Sequence, residues 1–308
     1  MLILVYDTMW GHPIPLGSPM EGVVFSTDRA LYSQADAVVF HIPAWTPDRV
    51  VQTAPWRWDL MPAKRPGQIW VAWSMECEEH YPVLRETRFM RHFDLTMTYH
   101  LNSDIPVTYA ALPGMSKAFR EPPKPKTEQS LLAAFISSGF DRSGRQSLLH
   151  QLSEMVAVDS YGKFLQNRTL NPDIGWQSKL DTIAGYKFTI AFENACSKDY
   201  VTEKFFDPLW AGSVPVYLGA PNVEAFAPGD HCFINAADFQ DPQALASYLV
   251  ALAADDNAYN AYFAWKKKPF RESFTRLQAP DVPSLSERLY RLLLTKLPAA
   301  AQASEKAP

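Results

Sequence analysis

Short apolar runs typical of β-strands alternate with polar or helical stretches along this chain, and this alternation restricts its fold more than any other feature. The strand-like runs are residues 2–6, 22–25, 37–41, 68–73 and 94–99 in the first half, and 131–137, 157–161, 188–192 and 215–218 in the second. Helical periods fall at residues 145–154, 204–211 and 242–253. Strands that alternate with helices build parallel sheets. The sequence therefore predicts an α/β fold.

A proline-rich stretch at residues 120–127 separates the two halves. Three prolines in these eight residues oppose both helix and sheet, which predicts an extended linker or, alternatively, a rigid surface loop. A chain of 308 residues is long enough for two domains of about 150 residues each. The predicted organisation is an N-terminal lobe at 1–119, the linker at 120–127, a C-terminal lobe at 128–296 and a disordered tail at 297–308.

Composition excludes several classes of function. A hydrophobic fraction of 47 % with 20 % charged residues is typical of packed cores, and a net charge of −4 gives no basic surface for nucleic acid. The three cysteines, Cys77, Cys196 and Cys232, are widely spaced and form no CxxC pair, which predicts reduced thiols and a cytoplasmic location. The opening MLILVYD is too short for a signal peptide, and no window is apolar enough for a membrane span.

The most specific motif follows the strand-like run at residues 188–192. It places Asn194, Tyr200, Glu203 and Lys204 ahead of an apolar segment. A strand that ends in such a loop and continues into a helix can bind a phosphate, because backbone N–H groups and the helix dipole add to the charge of the lysine. An isolated Thr-Glu-Lys triplet is more often a solvated surface turn.

The residues around this triplet resemble the donor-binding signature of the α-1,3/1,4-fucosyltransferases, glycosyltransferase family 10, which use GDP-fucose. The matching segments are Phe192-Glu193-Asn194, Asp199 to Lys204, Ala211 to Val216 and Leu218-Gly219, all at the family's spacing. The resemblance extends from about residue 2 to 275 and implies a GT-B fold, with two Rossmann-like lobes whose parallel sheets face an interlobe cleft. Since the family's Cys-rich tail and amino-terminal anchor are not found in the sequence, it further implies a soluble bacterial-type enzyme.

The resemblance also implies a set of donor-binding residues. They are Arg145, Tyr161, Glu193, Asn194, Tyr200, Glu203 and Lys204. Arg145 opens a predicted helix and would contact the donor phosphates, with Arg142 as the alternative. The segment before it resembles a phosphate loop, but Arg145 and Gln146 replace the required Lys and Ser/Thr, which excludes an NTPase. Which of Glu193 and Glu203 binds the ribose and which the fucose stays open.

Glu76 is the candidate general base. It closes the apolar run 68–75, and ligand sites collect at the carboxyl ends of parallel strands. Glu78 and Glu79 follow, and clustered carboxylates can raise one another's pKa, although a solvated acidic loop is the alternative. Glu76 and His80 keep a spacing found in the family, which implies the base role for Glu76.

The resemblance places Trp10, Gly11, His41 and His80 on the acceptor side. The residues after His41 depart from the family pattern, so the acceptor and the linkage stay open, with the 3-OH or 4-OH of GlcNAc as the leading prediction. The implied reaction is inverting transfer of fucose from GDP-β-L-fucose to a glycan hydroxyl. Glu76 would deprotonate that hydroxyl, while Arg145 and Lys204 stabilise the departing GDP.

No aspartate has another aspartate two positions away, so a DxD metal motif is absent and we expect neither a metal nor a cofactor. Three alternatives remain. The chain could use another GDP- or UDP-activated hexose, or it could bind a nucleotide sugar without catalysis. It could also make weak peripheral contact with a membrane through Trp265, the lysines 266–268, Phe270 and Arg271, although a solvated helix end is the simpler interpretation. An integral membrane segment is not predicted.

Overall fold

The computed structural model describes residues 1–9, 12, 20–45, 61–278 and 284–297. The chain divides into two compact units: unit 1 contains residues 1–108 and 280–308, and unit 2 contains residues 109–279. Each unit has its own sheet, and the strand pairs observed in both sheets are parallel. The predicted α/β fold with two parallel sheets is confirmed.

Unit 1 is built on a sheet whose two central strands are buried along their whole length. Its strands are β1 (Leu2–Val5), β2 (Val24–Ser26), β3 (Ala37–His41), β4 (Ile69–Ser74), β5 (Leu95–Thr98) and β6 (Ile105–Pro106). Within the described residues they lie in the order β2-β1-β3-β4-β5-β6. β3 and β4 are apolar up to their last residues, His41 and Ser74, because both of their faces pack against other parts of the protein. The helices of this unit are α1 (Ile42–Trp45), α2 (Thr87–Met90) and, far along the chain, α10 (Leu285–Lys296).

Helix α10 belongs to unit 1 and not to the C-terminal lobe in which the sequence placed it. Leu289 and Leu293, one helical turn apart, are fully buried in the same apolar cluster as Ile3 and Val71. Arg288 donates a hydrogen bond of 2.7 Å to the carbonyl oxygen of Pro106. These contacts return the chain to the first sheet. Leu297 is also buried there, and residues 298–308 of the predicted tail lie outside the described residues.

Unit 2 has the same plan of strands connected by helices. Its strands are β7 (Leu132–Ala134), β8 (Val158–Ser160), β9 (Phe188–Phe192), β10 (Val214–Leu218) and β11 (Ile234–Asn235). The described strands lie in the order β11-β10-β9-β7-β8. Its helices are α3 (Met115–Ala118), α4 (Arg145–Ser153), α5 (Trp176–Ala184), α6 (Glu203–Ala211), α7 (Pro242–Ala254), α8 (Asp256–Ala261) and α9 (Glu272–Gln278). Because β9 lies at the centre, the loop after it is surrounded by the ends of neighbouring strands.

The proline-rich stretch at 120–127 lies within unit 2, so the observed division comes before it, between residues 108 and 109. The Lys126 Nζ donates hydrogen bonds of 2.9 and 2.5 Å to the carbonyl oxygens of Ala184 and Gly212, at the ends of α5 and α6. An ammonium is favourable there because helix carboxyl ends carry partial negative charge. These bonds hold the stretch against unit 2.

Among the described residues, no helix is both long and apolar enough to cross a bilayer. Cys77 and Cys232 are buried thiols, and Cys196 is an exposed one.

Candidate functional site

A buried carboxylate joins the end of β9 to the start of α6. Glu193 follows the last residue of β9 and is fully buried. It accepts hydrogen bonds of 2.7 Å from the backbone N–H of Thr202 and 2.8 Å from the Thr202 hydroxyl. Thr202 is the N-cap of α6, and its hydroxyl also accepts from the Lys204 N–H at 3.3 Å. These hydrogen bonds therefore hold the N-terminus of α6 next to the carboxyl end of β9.

Lys204 carries the positive charge at this helix N-terminus. Its Nζ lies 3.0 Å from Oε1 of Glu203 and 3.7 Å from Oε2 of Glu193. Burial lowers its pKa, but the two carboxylates outweigh burial and raise it. Lys204 is therefore a stable cation, and its side chain is 22 % exposed. A cation at a helix N-terminus can bind an anionic ligand such as a phosphate.

The two carboxylates beside Lys204 differ in protonation. Burial is the largest cause at Glu193 and raises its pKa to about 7 in spite of Lys204. Burial also acts to raise the pKa of Glu203, but Lys204 and then Lys179 outweigh it and lower that pKa to about 2. Glu203 is therefore an ionised hydrogen-bond acceptor near neutral pH. It is half-buried, whereas Glu193 lies beneath it in the interior.

The loop after β7 is hydrogen-bonded to the loop after β9. The backbone N–H groups of Arg142 and Ser143 donate to the carbonyl oxygen of Asn194 at 2.7 and 3.2 Å. The Ser143 hydroxyl donates to the carbonyl oxygen of Glu193 at 2.6 Å. The side chain of Asn194 is buried. Asn194, which the sequence predicted as a donor ligand, is therefore part of the junction between the two loops.

Arg145 lies inside this junction. It is 1 % exposed, and its guanidinium donates to the carbonyl oxygens of Phe192, Ser138 and Phe140 at 3.4, 3.0 and 2.9 Å. The predicted direct contact between Arg145 and the donor phosphates does not fit this burial. The guanidinium of Arg145 instead holds the loop in place through these carbonyl oxygens. Its charge adds positive potential to the site. Arg142, the alternative named above, is exposed on the same loop.

Tyr161 is held at the end of β8. Its ring stacks on Phe135 with centroids 5.0 Å apart, and its hydroxyl lies 2.8 Å from that of Tyr186. The next residue is Gly162, and a Cβ at this position would lie 2.3 Å from the carbonyl oxygen of Ile136. The Tyr-Gly step therefore lets β8 and the end of β7 approach closely. Tyr161 is half-buried at this edge.

The segment between Asn194 and α6 is locked to the loop after β10. Asp199 has a left-handed φ of 67°. Its N–H donates to Oδ1 of Asn222 at 2.9 Å, and the Asn222 amide donates to its carboxylate at 2.8 Å. Tyr200, predicted to contact the donor, is 2 % exposed beside this clamp. Tyr200 therefore packs in the interior next to this hydrogen-bonded segment.

The glycine that ends the motif is required by its closeness to Glu193. A Cβ on Gly219 would lie 2.3 Å from the Tyr217 hydroxyl oxygen and 2.6 Å from Cγ of Glu193. Real Cβ atoms essentially never lie this close to a non-bonded atom. Gly219 therefore leaves the space that Glu193 occupies.

In unit 1, Glu76 lies two residues beyond the end of β4 and is half-buried. Its N–H donates to the Ser74 hydroxyl at 3.1 Å, and that hydroxyl donates to the Glu76 carbonyl oxygen at 2.9 Å. Burial, with a smaller contribution from the Glu76 charge, raises the pKa of Tyr81. Glu76 thus occupies the carboxyl end of a buried strand, as the sequence indicated, and its role stays a prediction.

The neighbouring acidic side chains are paired. Glu78 accepts a hydrogen bond from the Tyr99 hydroxyl, and its Oε2 lies 3.3 Å from Nε2 of His100. Arg85 contacts both Glu78 and Glu79. Burial acts to raise the pKa of Glu78, but the hydrogen bonds from His100 and Tyr99 outweigh it and lower that pKa to about 2. The prediction that these carboxylates raise one another's pKa is wrong for Glu78.

The predicted acceptor residues are placed unequally. His41 ends β3, is 1 % exposed and packs on Trp73 with ring centroids 4.7 Å apart. Burial lowers its pKa to about 4, and a direct acceptor contact does not fit this position. His80 is half-buried in the turn after Glu76. Trp10 and Gly11 lie outside the described residues.

Two other predictions concern metals and membranes. Among the described residues, no group of three His, Cys, Asp or Glu side chains is arranged to hold a metal ion.

Trp265 and Lys266, which the membrane alternative needs at the surface, are 2 % and 5 % exposed. The Lys266 Nζ donates to the carbonyl oxygens of Phe119 and Leu209, both at 3.3 Å. Burial therefore removes one of the two aromatic residues and one of the three lysines from any membrane contact.

The sequence did not reveal a second cation near Lys204. Lys179, on α5, lies 2.7 Å from Oδ2 of the buried Asp207, and Trp176 donates to Oδ1 of Asp207 at 2.9 Å. Lys179 and Lys204 line the same small pocket, together with Phe135. The only available signal was helical spacing, because Trp176 and Lys179 are three residues apart and Glu203 and Asp207 are four apart.

The comparison with protein families matches nearly the whole chain. Residues 124–287 match the model described as glycosyltransferase family 10 (fucosyltransferase) C-term, and residues 1–110 match that described as fucosyltransferase, N-terminal. The chain belongs to glycosyltransferase family 10. The family predicted from the motif at residues 192–222 is therefore confirmed.

Individual members of glycosyltransferase family 10 are similar over most of this chain. A fucosyltransferase-like protein of Arabidopsis thaliana is 38 % identical over 76 % of this chain and 45 % of its own length. The rat alpha-(1,3)-fucosyltransferase 7 is 38 % identical over 79 % of this chain and 61 % of its own length. The chain thus spans about half of these two relatives. The mouse 4-galactosyl-N-acetylglucosaminide 3-alpha-L-fucosyltransferase 9 is 32 % identical over 86 % of this chain and 71 % of its own length.

A solved structure of an alpha1,3-fucosyltransferase with GDP-fucose has the same fold. It superimposes with a TM-score of 0.58 at 15 % identity and covers 88 % of this chain and 81 % of its own. At this identity the similarity concerns the fold alone, and it confirms the GT-B class.

Proposed function

We propose that this protein transfers L-fucose from GDP-β-L-fucose to a hydroxyl of a GlcNAc-containing glycan, with the 3-OH as the leading acceptor position and the 4-OH as the alternative. The observation that carries this proposal is the anion site at the N-terminus of α6. There the Lys204 ammonium and a capped helix N-terminus lie above Glu193, in a motif shared with glycosyltransferase family 10. The names of the relatives from rat and mouse support the linkage.

The donor is held by unit 2. Lys204 and the positive end of the α6 dipole face the diphosphate, while Arg145 adds positive potential from within the loop and the exposed Arg142 offers a direct contact. The ionised Glu203 accepts a hydrogen bond from a hydroxyl of the fucose or the ribose. Tyr161 lies beside the nucleotide. Glu193 acts from beneath, through Thr202.

Glu76 is the general base in the proposed reaction. It removes the proton from the acceptor hydroxyl as that oxygen attacks C1 of the fucose, and GDP leaves from the opposite face. Displacement at a β-linked donor gives an α-fucoside, by the logic of inverting hydrolases with a sugar hydroxyl in place of water. The leaving diphosphate needs no proton, because its growing negative charge is stabilised by Lys204 and the dipole of α6.

Metal-independent transfer follows from this assignment of charge. We expect full activity in the presence of EDTA, with no gain on adding Mg²⁺ or Mn²⁺. Loss of activity in EDTA, restored by a divalent ion, would contradict it. A cytoplasmic location and a bacterial-type setting stay predictions.

The test is a glycan array incubated with the protein and GDP-fucose, followed by linkage analysis of any product. The proposal predicts an α-fucosylated GlcNAc-containing glycan, and the position of the new bond separates 1,3 from 1,4 transfer. A parallel titration with other GDP- and UDP-hexoses addresses the second candidate, a transferase for another sugar. Binding of GDP-fucose without any product would favour a non-catalytic binding protein.

A further inference from the structure

Lys179 is a charged residue of unit 2 that the reaction described above does not use. It lies on α5, and its ammonium forms a 2.7 Å ion pair with Asp207 on α6. The side chain is 21 % exposed, close to the 22 % of Lys204, and both line the same pocket. The ammonium also lies 5.7 Å from the centre of the Phe135 ring, on which Tyr161 stacks.

The partner of Lys179 explains why a cation is needed there. Asp207 is 1 % exposed, and both of its oxygens are occupied, one by Lys179 and the other by Nε1 of Trp176 at 2.9 Å. Asp207 lies four residues after Glu203 on α6, so the two carboxylates share one face of the helix. Like charges at this spacing repel each other. Lys179 reaches across from α5 and pairs directly with Asp207, and its charge also helps to lower the pKa of Glu203.

We propose that Lys179 is a positioning residue for Glu203: with Asp207 as its anchor, it keeps the Glu203 carboxylate in place to accept a hydrogen bond from a hydroxyl of the sugar nucleotide. This inference rests on the proposed function. Lys179 pairs at 2.7 Å with Asp207, one turn into α6, whereas Lys204 lies at the N-terminus of that helix and is the residue proposed to face the diphosphate.

The chain offers a matched control for Lys179. Lys187 is also in unit 2 and 26 % exposed, pairs with Asp256 at 3.2 Å and lies 5.1 Å from the ring of Tyr259. It precedes β9, however, at the opposite end of the strand from Glu193. Lys187→Met therefore removes an ion pair and a ring contact at similar distances, here with the exposed carboxylate of Asp256, at a place remote from the donor site.

The experiment is calorimetric titration of GDP-fucose, and separately of GDP, into the folded wild type, Lys179→Met, Lys179→Arg and Lys187→Met. We expect Lys179→Met to bind GDP-fucose about tenfold or more weakly, as is typical for loss of a charge-supported hydrogen bond. Lys179→Arg should retain most of the affinity, and Lys187→Met all of it. If GDP binding weakens equally, the hydroxyl bound by Glu203 is on the ribose, whereas an effect on GDP-fucose alone places it on the fucose.

The outcomes separate the two proposals. Wild-type affinity in Lys179→Met, or equal losses in Lys179→Met and Lys187→Met, overturns the role of Lys179 and leaves the proposed function intact. A wild type that binds neither GDP-fucose nor GDP overturns the proposed function, and the inference with it. Thermal unfolding gives the melting temperature of each of the four proteins. The titrations are made at a temperature where all four are folded.

Discussion

The backbone N–H of Thr202 lies 2.7 Å from one oxygen of Glu193, and the Thr202 hydroxyl lies 2.8 Å from the other, so a single residue occupies both oxygens of a fully buried carboxylate. Thr202 is also the N-cap of α6. These hydrogen bonds therefore join the end of β9 to the start of α6, the helix that carries Glu203 and Lys204. A change at Glu193 reaches the donor site through this connection.

Glu193 should make the free energy of unfolding fall as the pH rises from about 4.5 to about 7. Burial raises its pKa from 4.5 in the unfolded chain to about 7 in the folded one, although Lys204 opposes this. Between these values the unfolded chain has released a proton that the folded chain retains, so a rise in pH favours unfolding. Urea unfolding of the wild type and Glu193→Gln across this range isolates the effect as a difference. A pH-independent difference would contradict the buried, protonated carboxyl.

Glu76→Gln should lower turnover by about 10²- to 10⁴-fold, the range typical of losing a general base. The affinity for GDP should stay within about twofold, because the substitution leaves unit 2 unchanged. Glu79→Gln is the matched control, since Glu79 lies on the same turn but pairs with Arg85. Initial rates with saturating GDP-fucose provide the measurement. Equal turnover in wild type and Glu76→Gln would remove Glu76 from the mechanism.

Gly219→Ala should destabilise unit 2 and weaken GDP binding together. The added Cβ would lie 2.6 Å from Cγ of Glu193 and still closer to the Tyr217 hydroxyl oxygen, and overpacking of this kind costs about 1–3 kcal/mol. Gly139→Ala is the control, because its Cβ meets no atom within 4 Å and its φ is not in the left-handed region. Denaturant unfolding and GDP titration of both variants are the measurements. Wild-type stability of Gly219→Ala would contradict this prediction, because the loop would then accommodate the Cβ without any loss of unfolding free energy.

Much of the fold could be predicted because the strands are short apolar runs with clear ends. The central strand β9 was expected at residues 188–192 and is found there. The two-residue strands β6 and β11 carry no comparable signal. The destination of α10 was not predictable, because the apolar face formed by Leu289 and Leu293 fits any apolar surface and nothing local selects the sheet of unit 1.

The candidate site was predicted as a motif but not as a geometry. Local sequence indicated that Glu193, Glu203 and Lys204 belong together, and the structure places all three within one ion-pair network. It could not show that Arg145 is buried under carbonyl oxygens, because that depends on the path of a whole loop. The pairing of Lys179 with Asp207 joins two helices across 28 residues, a contact that no local pattern encodes.

Titration of GDP-fucose into the wild type, Lys204→Met and Lys198→Met tests the central claim most directly. Lys198 is an exposed lysine of the same loop and serves as the matched control. The anion site at the start of α6 predicts tight binding by the wild type and Lys198→Met, and binding weaker by about tenfold or more in Lys204→Met, since a charged hydrogen-bond donor is lost. Equal affinity in all three proteins, or no binding by the wild type, would contradict a donor site built on Lys204.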